Sequence, residues 1–291
     1  MAPPEPLTPL ADHTQLPVAD FAANGVAILP DVLSGSEVAA LRTACDSCLE
    51  QWKASSTAHN QPSAYCWGPE AWILIHLNHP DFFASDATRP FLPRILNAVA
   101  SPAILSGLRK IFGVDDMGGP DCTIRQINYY IDPPRQGRPP NWHRDSQFFA
   151  GGDNELERRT IAEEANPTRE VHVHIPLLPT THSGFVPGSH LRWDTPEEHR
   201  VRMAVDGASG TRGCGEIQGG CELQLEPGDA SIFHVNGLHR GRYDVGYMRR
   251  TIAITVGDNE RPRWDETTAV FCPPSVSLCT CPEPVLAFMS M

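Results

Sequence analysis

The stretch NWHRDSQFF, residues 141–149, places a histidine and an aspartate two positions apart, His143 and Asp145. On an extended backbone, residues i and i+2 project to the same side, so the pair can converge on one point. A neutral imidazole beside a carboxylate suits a divalent first-row metal. Two histidines and one carboxylate on one face suit Fe(II) and leave open positions for substrate oxygen and O2. A lone His-x-Asp arises by chance on loops, so this chemistry requires a third ligand, an anchor for a co-substrate and a scaffold.

The third ligand must come from 12 histidines. Residues 225–256, LEPGDASIFHVNGLHRGRYDVGYMRRTIAITV, offer two. Pro227-Gly228-Asp229 is a turn, Ser231 to Val235 reads as a strand, and Asn236-Gly237 signals a second turn. His239 follows that turn at the mouth of the next element and is the better ligand. His234, inside the strand, is the weaker candidate and reads better as a packed histidine. The segment also holds adjacent arginines. Arg250, Ile252, Ile254 and Val256 share one strand face; Arg249, Thr251, Ala253 and Thr255 share the other. The first face is apolar and is expected to line the barrel interior, which puts Arg250 near His239. A buried guanidinium needs a carboxylate partner. None stands on its own strand, and a dicarboxylate co-substrate would supply one through a bidentate pair.

The elements that must position these residues follow from the patterning. Val26 to Leu29 reads as a short strand ended by Pro30. Ser34 or Ser36 caps a helix that carries Val38, Leu41, Cys45 and Leu49 on one face. A second helical region covers 89–112, interrupted near Pro102. Beyond it, DCTIRQINYYI, REVHVHIPLL, CELQLEP, ASIFHV and RRTIAITV are short β-rich segments bounded by Pro and Gly. Two polar stretches, 150–168 and 194–220, are too long for hairpin turns and read as lids or insertions. The first is a charged run, either a solvated face or a lid. Helices followed by an antiparallel run predict a mainly β fold with buttressing helices and a jelly-roll core, the double-stranded β-helix of cupin-like proteins. The expected division is a disordered N-terminus over 1–16 and one domain over 17–291. Within it lie a helical part to about 115, the jelly roll over about 120–258 and a tail over about 259–291.

Composition narrows the function classes. The 291 residues carry a net charge of −12, which works against nucleic acid or anionic membranes as partners. No 18-residue apolar run and no basic-then-apolar leader are present. A cytoplasmic protein acting on a small molecule is expected, with its nine cysteines reduced. Cys45-x-x-Cys48 has no second pair to complete a metal site and reads as structural, as do Cys214, Cys221, Cys279 and Cys281.

In order along the chain stand WHRD at 142–145, VPGSH at 186–190, PGDASIFH at 227–234, GLHRG at 237–241, and Arg250, 11 residues past His239. Together these pieces resemble the phytanoyl-CoA dioxygenase-like (PhyH) family of Fe(II)/2-oxoglutarate oxygenases. The opening FAANGVAILPDVLSGSEVAALR is similar as well, so the resemblance spans about residues 20–256. It implies iron ligands at His143, Asp145 and His239, the distal carboxylate of 2-oxoglutarate on Arg250, and a co-substrate contact from Asn128. Many members carry a serine two positions after the last histidine. Here His239-Arg240-Gly241 lacks it, and Tyr129 or Tyr130 is the expected substitute. Ser189 and His190 of the PGSH turn read as structural. The resemblance further implies hydroxylation of a small organic molecule with release of succinate and CO2, or a desaturating or ring-forming variant. Halogenating relatives replace the carboxylate that Asp145 retains.

Pocket residues are less specified. Gln147 and Phe148 follow the metal motif. His172 and His174 share the strand face opposite Val171, Val173 and Ile175, and either line the barrel or face solvent; His174 is the one expected at the substrate. Trp67, Trp72 and the HLNH of 76–79 read as packing. Two other function classes stand beside the oxygenase: a jelly-roll binding or metal-sensing module without catalysis, and a cupin-like metal enzyme that does not use 2-oxoglutarate. A nucleic-acid demethylase is disfavoured by the charge and by the absence of a second arginine six positions from the first.

Overall fold

In the computed structural model the described residues are 16–54, 66–67, 73–74, 89–113, 122–131, 141–165, 167–207, 212–241, 248–258 and 276–277. The proline-rich N-terminus, Trp72, residues 76–79, Cys279, Cys281 and most of the expected tail lie outside them.

A single turn, α1 (Phe21–Asn24), is closed by Gly25 at φ 71° and leads into β1 (Val26–Leu29). Gly25 is required there twice over, because a Cβ would also collide with the His190 ring. Ser34 starts the next helix as its type predicts. Its N–H donates to Glu37 Oε2 at 2.7 Å and its Oγ accepts from the Glu37 N–H at 3.3 Å, a reciprocal cap. The helix, α2 (Gly35–Lys53), buries Val38, Leu41, Cys45 and Leu49 as expected. Burial pushes the Cys48 thiol up to about 12 and Cys45 well above its usual range, so both stay protonated and act as small apolar side chains. The second helical region divides at Pro102 into α3 (Leu92–Val99) and α4 (Pro102–Phe112), the latter capped by Ser101.

The strands are β2 (Cys66–Trp67), β3 (Ile73–Leu74), β4 (Cys122–Ile131), β5 (Glu170–Pro176), β6 (Thr180–Phe185), β7 (Cys221–Leu225), β8 (Ala230–His234), β9 (His239–Gly241), β10 (Arg250–Asp258) and β11 (Val276–Ser277). They form two antiparallel sheets. The larger runs β1-β8-β5-β10-β4-β3-β2, with β11 also on β4; the smaller runs β7-β6-β9. Val26, Ile28 and Phe233 of the large sheet pack with Phe185, Leu223 and Leu225 of the small one. The result is the jelly roll expected from the strand pattern, with helices on its outer side.

The face assignment of β10 differs from expectation. Ile252, Ile254 and Val256 join Val173, Ile175 and Ile127 in one core with Leu41, Cys45, Ile95 and Leu108 of the helices. The apolar stripe therefore faces the helical layer, and each fully buried Ile or Leu in it contributes about 1.5–3 kcal/mol. Arg250 shares that face. Its Nε donates to Asp46 Oδ1 of α2 at 3.1 Å, and the Tyr129 hydroxyl donates to the same oxygen at 2.7 Å. Arg250 is thus not inside the barrel, and Tyr129 is not available there. The physical reason is that the large sheet is covered on both sides. The helices claim the greasy face, and the face left to line the inter-sheet space carries His172, His174, Asn128, Tyr130, Thr251 and Thr255.

The two polar stretches are built segments. Residues 146–164 form α5 (Ser146–Ala150) and α6 (Asn154–Glu164), the second capped by Asp153. Residues 196–203 form α7 (Pro196–Met203), with a Thr195/Glu198 capping box. Helix α6 is pinned down by buried carboxylates. Glu157 receives Arg202 of α7 at 2.7 Å, and Glu164 Oε2 accepts from Asn236 Nδ2 at 2.7 Å. These contacts favour a buttress over a lid.

Candidate metal centre

His143 and His239 form an isolated antiparallel bridge in which each N–H donates to the other's carbonyl, at 2.9 and 3.0 Å. Residues paired this way project to one side, and the two rings stand 4.2 Å apart. Asp145 is held next to them by its N–H on the Val235 carbonyl at 3.1 Å. One ligand atom from each of the three residues lies within 4.8 Å of the others. Asp145 Oδ1 is 3.8 Å from His143 Nε2 and 3.6 Å from His239 Nε2.

Backbone carbonyls fix the tautomers. His143 Nδ1 is 2.9 Å from the Asn141 carbonyl, and His239 Nδ1 is 2.9 Å from the Gly237 carbonyl. A carbonyl only accepts, so Nδ1 carries the proton and Nε2 is the lone-pair atom of each ring. Burial, reinforced by His143, depresses His239 to about 3, which keeps it neutral. Burial works against ionisation of Asp145, but the facing His172, then His239 and His143, overcome it and hold the carboxyl below its usual range. Two imidazoles that present Nε2 and one ionised carboxylate are the donor set that Fe(II) takes with open positions to spare. The residues fit the metal.

Trp142 precedes this motif and its N–H donates to the Gly213 carbonyl at 2.9 Å. Gly213 has φ +76°, and a Cβ there would lie 2.5 Å from the Trp142 carbonyl oxygen. Gly213→Ala is expected to cost at least about 2 kcal/mol, read as a fall in melting temperature, and to weaken metal binding because the strained contact is one residue from His143.

The other expected residues separate into groups. Asn128 and Tyr130 lie on the inter-sheet face of β4. His174 lies on the same inner face, between Phe233 (4.8 Å), Tyr130 (6.1 Å) and Ser183, whose Oγ is 3.4 Å from Nδ1. Gln147 Oε1 accepts from Arg202 at 3.0 Å and so belongs to the ion network beneath the site. Phe148 is 63% exposed, with its ring 5.6 Å from His143. Ser189 Oγ accepts from the Leu238 N–H and donates to the Val186 carbonyl, a turn-holding role. Three residues were given no place in the site by the sequence. Arg249, 3% exposed, has its guanidinium 4.6 Å from the Tyr130 ring centroid on the inner face. His172 touches Asp145. Ser183 is the cross-strand partner of Gly241. For Arg249 the signal was present in the strand alternation; the other two depend on pairing across strands.

A model of the phytanoyl-CoA dioxygenase (PhyH) family matches residues 21–250. The chain belongs to that family. Members use Fe(II), 2-oxoglutarate and O2, and this PhyH chain is an iron- and 2-oxoglutarate-dependent oxygenase. No curated protein matches it by sequence. Among solved structures it is similar to AviO1 from Streptomyces viridochromogenes Tue57, with 18% identity, 88% of this chain and 99% of that one covered, and TM-score 0.54. EctD from S. alaskensis with 2-oxoglutarate and 5-hydroxyectoine gives 16% identity over 95% and 91%, TM-score 0.54. The epimerase SnoN in complex with Fe3+, alpha ketoglutarate and nogalamycin RO gives 16% over 88% of each chain, TM-score 0.52. At these identities the likeness is one of fold. The non-catalytic and cupin-type alternatives are not favoured.

Histidines away from this cluster set an acid limit. Burial takes His190 to about 4; burial and then His190's charge take His234 to about 3. His234 Nε2 faces the Glu164 carbonyl at 3.0 Å and Nδ1 accepts from the Asn236 N–H at 3.1 Å, so protonation breaks a bond. Both folded values lie below the ordinary value, about 6.5. Between the two the unfolded chain binds more protons, and stability rises with pH. Stability is expected to be lost as pH falls from about 6.5 toward 4, by up to about 1.4 kcal/mol per pH unit per histidine. Urea melts across that range measure the slope, which His234→Gln should flatten.

Proposed function

We propose that this oxygenase hydroxylates a small organic molecule, with His143, Asp145 and His239 as the iron ligands and Arg249 as the anchor of 2-oxoglutarate. The single observation that carries the reading is the tautomer-fixed His-Asp-His set opening onto an inner face that also holds a buried arginine. When bound, iron with 2-oxoglutarate and O2 supplies the oxidising chemistry, with succinate and CO2 released. The chain's own residues bind and orient. Arg249 would take the distal carboxylate as a bidentate pair, with Asn128 and Tyr130 lining the same face. The hydroxyl that Gly241 lacks is offered from across the strand by buried Ser183. His174, held neutral by burial and by the charges of His172 and Arg249, can accept or donate beside Ser183 without adding charge. Phe148, an exposed aromatic at the ligand set, is the residue we assign to substrate contact. The free buried cysteines and the charge of −12 fit a cytoplasmic enzyme of small molecules.

The test is an anaerobic titration of the apoprotein with Fe(II) and 2-oxoglutarate, watching the weak visible charge-transfer band of a chelated 2-oxo acid. A band in the parent that is absent in Asp145→Ala supports the assignment. Iron binding without a band overturns the assignment of these residues to the co-substrate site.

A further inference from the structure

The two oxygens of Asp145 are not equivalent. Oδ1 is turned to the imidazoles, 3.8 Å from His143 Nε2 and 3.6 Å from His239 Nε2. Oδ2 is turned away from them and lies 2.7 Å from His172 Nε2. The His172 ring is in turn fixed from behind. Its Nδ1 is 3.0 Å from Thr255 Oγ1, the residue directly opposite it in the β5–β10 ladder, and its ring stands 5.3 Å from Phe233. A threonine hydroxyl can donate to Nδ1, which leaves the imidazole proton on Nε2, aimed at Oδ2. The chain Thr255–His172–Asp145 therefore ties up one carboxylate oxygen and leaves the other for the metal.

The coordination arithmetic makes this consequential. An octahedral ion offers six positions. Two imidazoles and one carboxylate oxygen would fill three, which would leave three for the co-substrate and O2. An aspartate that ligated through both oxygens would take one of these. A simple packing role does not account for a nitrogen aimed at a ligand's second oxygen, since any apolar side chain of similar size would fill the space.

We propose that His172 is a positioning residue that keeps Asp145 a one-oxygen ligand and so keeps the O2 position open. The inference rests on the metal assignment above. Partners beyond the ligands themselves orient them and set affinity, typically by about 10–100-fold.

The experiment uses the full chain, stripped of metal and reloaded. Co(II) titration by calorimetry reads affinity. Nitric oxide added anaerobically to the Fe(II)–2-oxoglutarate complex reads the open position through the rhombicity and intensity of its spin-3/2 resonance. His172→Leu is expected to bind Co(II) about 10–100-fold more weakly and to give a weaker, altered nitrosyl signal. His172→Gln, which keeps an N–H donor, should recover most of both. Thr255→Val should shift both readouts in the same direction by a smaller factor. A His172→Leu protein with the parent's affinity and nitrosyl spectrum overturns the proposal. So does a Cu(II)-loaded parent whose hyperfine pattern counts three nitrogens, since His172 would then be a ligand. Should His172→Leu fail to fold, Thr255→Val decides, because it leaves His172 and Asp145 in place: parent-like readouts there overturn the proposal. A parent that binds no Co(II) overturns the metal centre itself, a result distinct from a failure confined to the variants.

Discussion

Arg249→Ala is expected to weaken 2-oxoglutarate binding by about 30- to 1,000-fold, while Arg250→Ala leaves it within a few-fold. The two arginines are adjacent, and β alternation sends them to opposite sides of the sheet. Arg249 is buried on the face that carries His172, His174 and Thr255. Arg250 reaches the other way, to Asp46 on helix α2. Removing one partner of a desolvated, hydrogen-bonded charge pair costs about 2–4 kcal/mol, which sets the range for Arg249. For Arg250 the Asp46 carboxylate stays partly exposed and keeps the Tyr129 hydroxyl, so its loss is expected to lower stability by about 1 kcal/mol. Calorimetric titration of the Mn(II)- or Fe(II)-loaded protein with 2-oxoglutarate, with a thermal melt for each variant, separates the effects. The opposite ranking would return the anchor to Arg250.

The reversal shows where sequence reasoning ends. His143, Asp145 and His239 were legible because an i, i+2 spacing and a turn ahead of His239 are local signals, and local geometry delivers them to one point. Alternation also divided Arg249 from Arg250. What it could not say was which side of β10 the helices cover. An apolar stripe such as Ile252-Ile254-Val256 is compatible with either interior, and the choice is made by α2, α3 and α4, drawn from residues 35–112, far upstream. His172 was legible as sharing a face with His174, but its partner Asp145 is brought to it only by tertiary structure. Strand β6, TTHSGF, has no aliphatic residue to announce it, so Ser183 emerges only from its pairing with Gly241. The helices within 150–168 and 194–220 were missed because their apolar faces are small. They are held instead by buried charge.

That buried charge carries the second large effect. Arg144, between His143 and Asp145, is fully buried. Its Nε donates to Asp194 Oδ1 at 2.9 Å and its Nη1 to the carbonyls of Ser189, at 2.8 Å, and Asn236. Asp194 Oδ2 accepts from Arg202 Nε at 2.7 Å, and Arg202 continues to Glu157. One carboxylate therefore separates two buried guanidiniums. Burial already works against the charge on Arg144, with Asp194 the chief compensation and Arg202 opposing it. Asp194→Ala removes that compensation, leaving two like charges facing each other in a medium of low polarity. It is expected to cost about 3–5 kcal/mol, a fall in melting temperature on the order of 10 °C. Because Arg144 lies between His143 and Asp145, metal affinity should fall with it. Glu157→Ala, which leaves Arg202 its bond to Asp194, should cost less. The combined Arg144→Met, Asp194→Leu variant should recover part of the loss, since well-packed apolar replacements remove the desolvation cost along with the attraction. Were Asp194→Ala to melt with the parent, the network would be incidental, and the metal loop would be held by the backbone bonds of His143 and Asp145 alone.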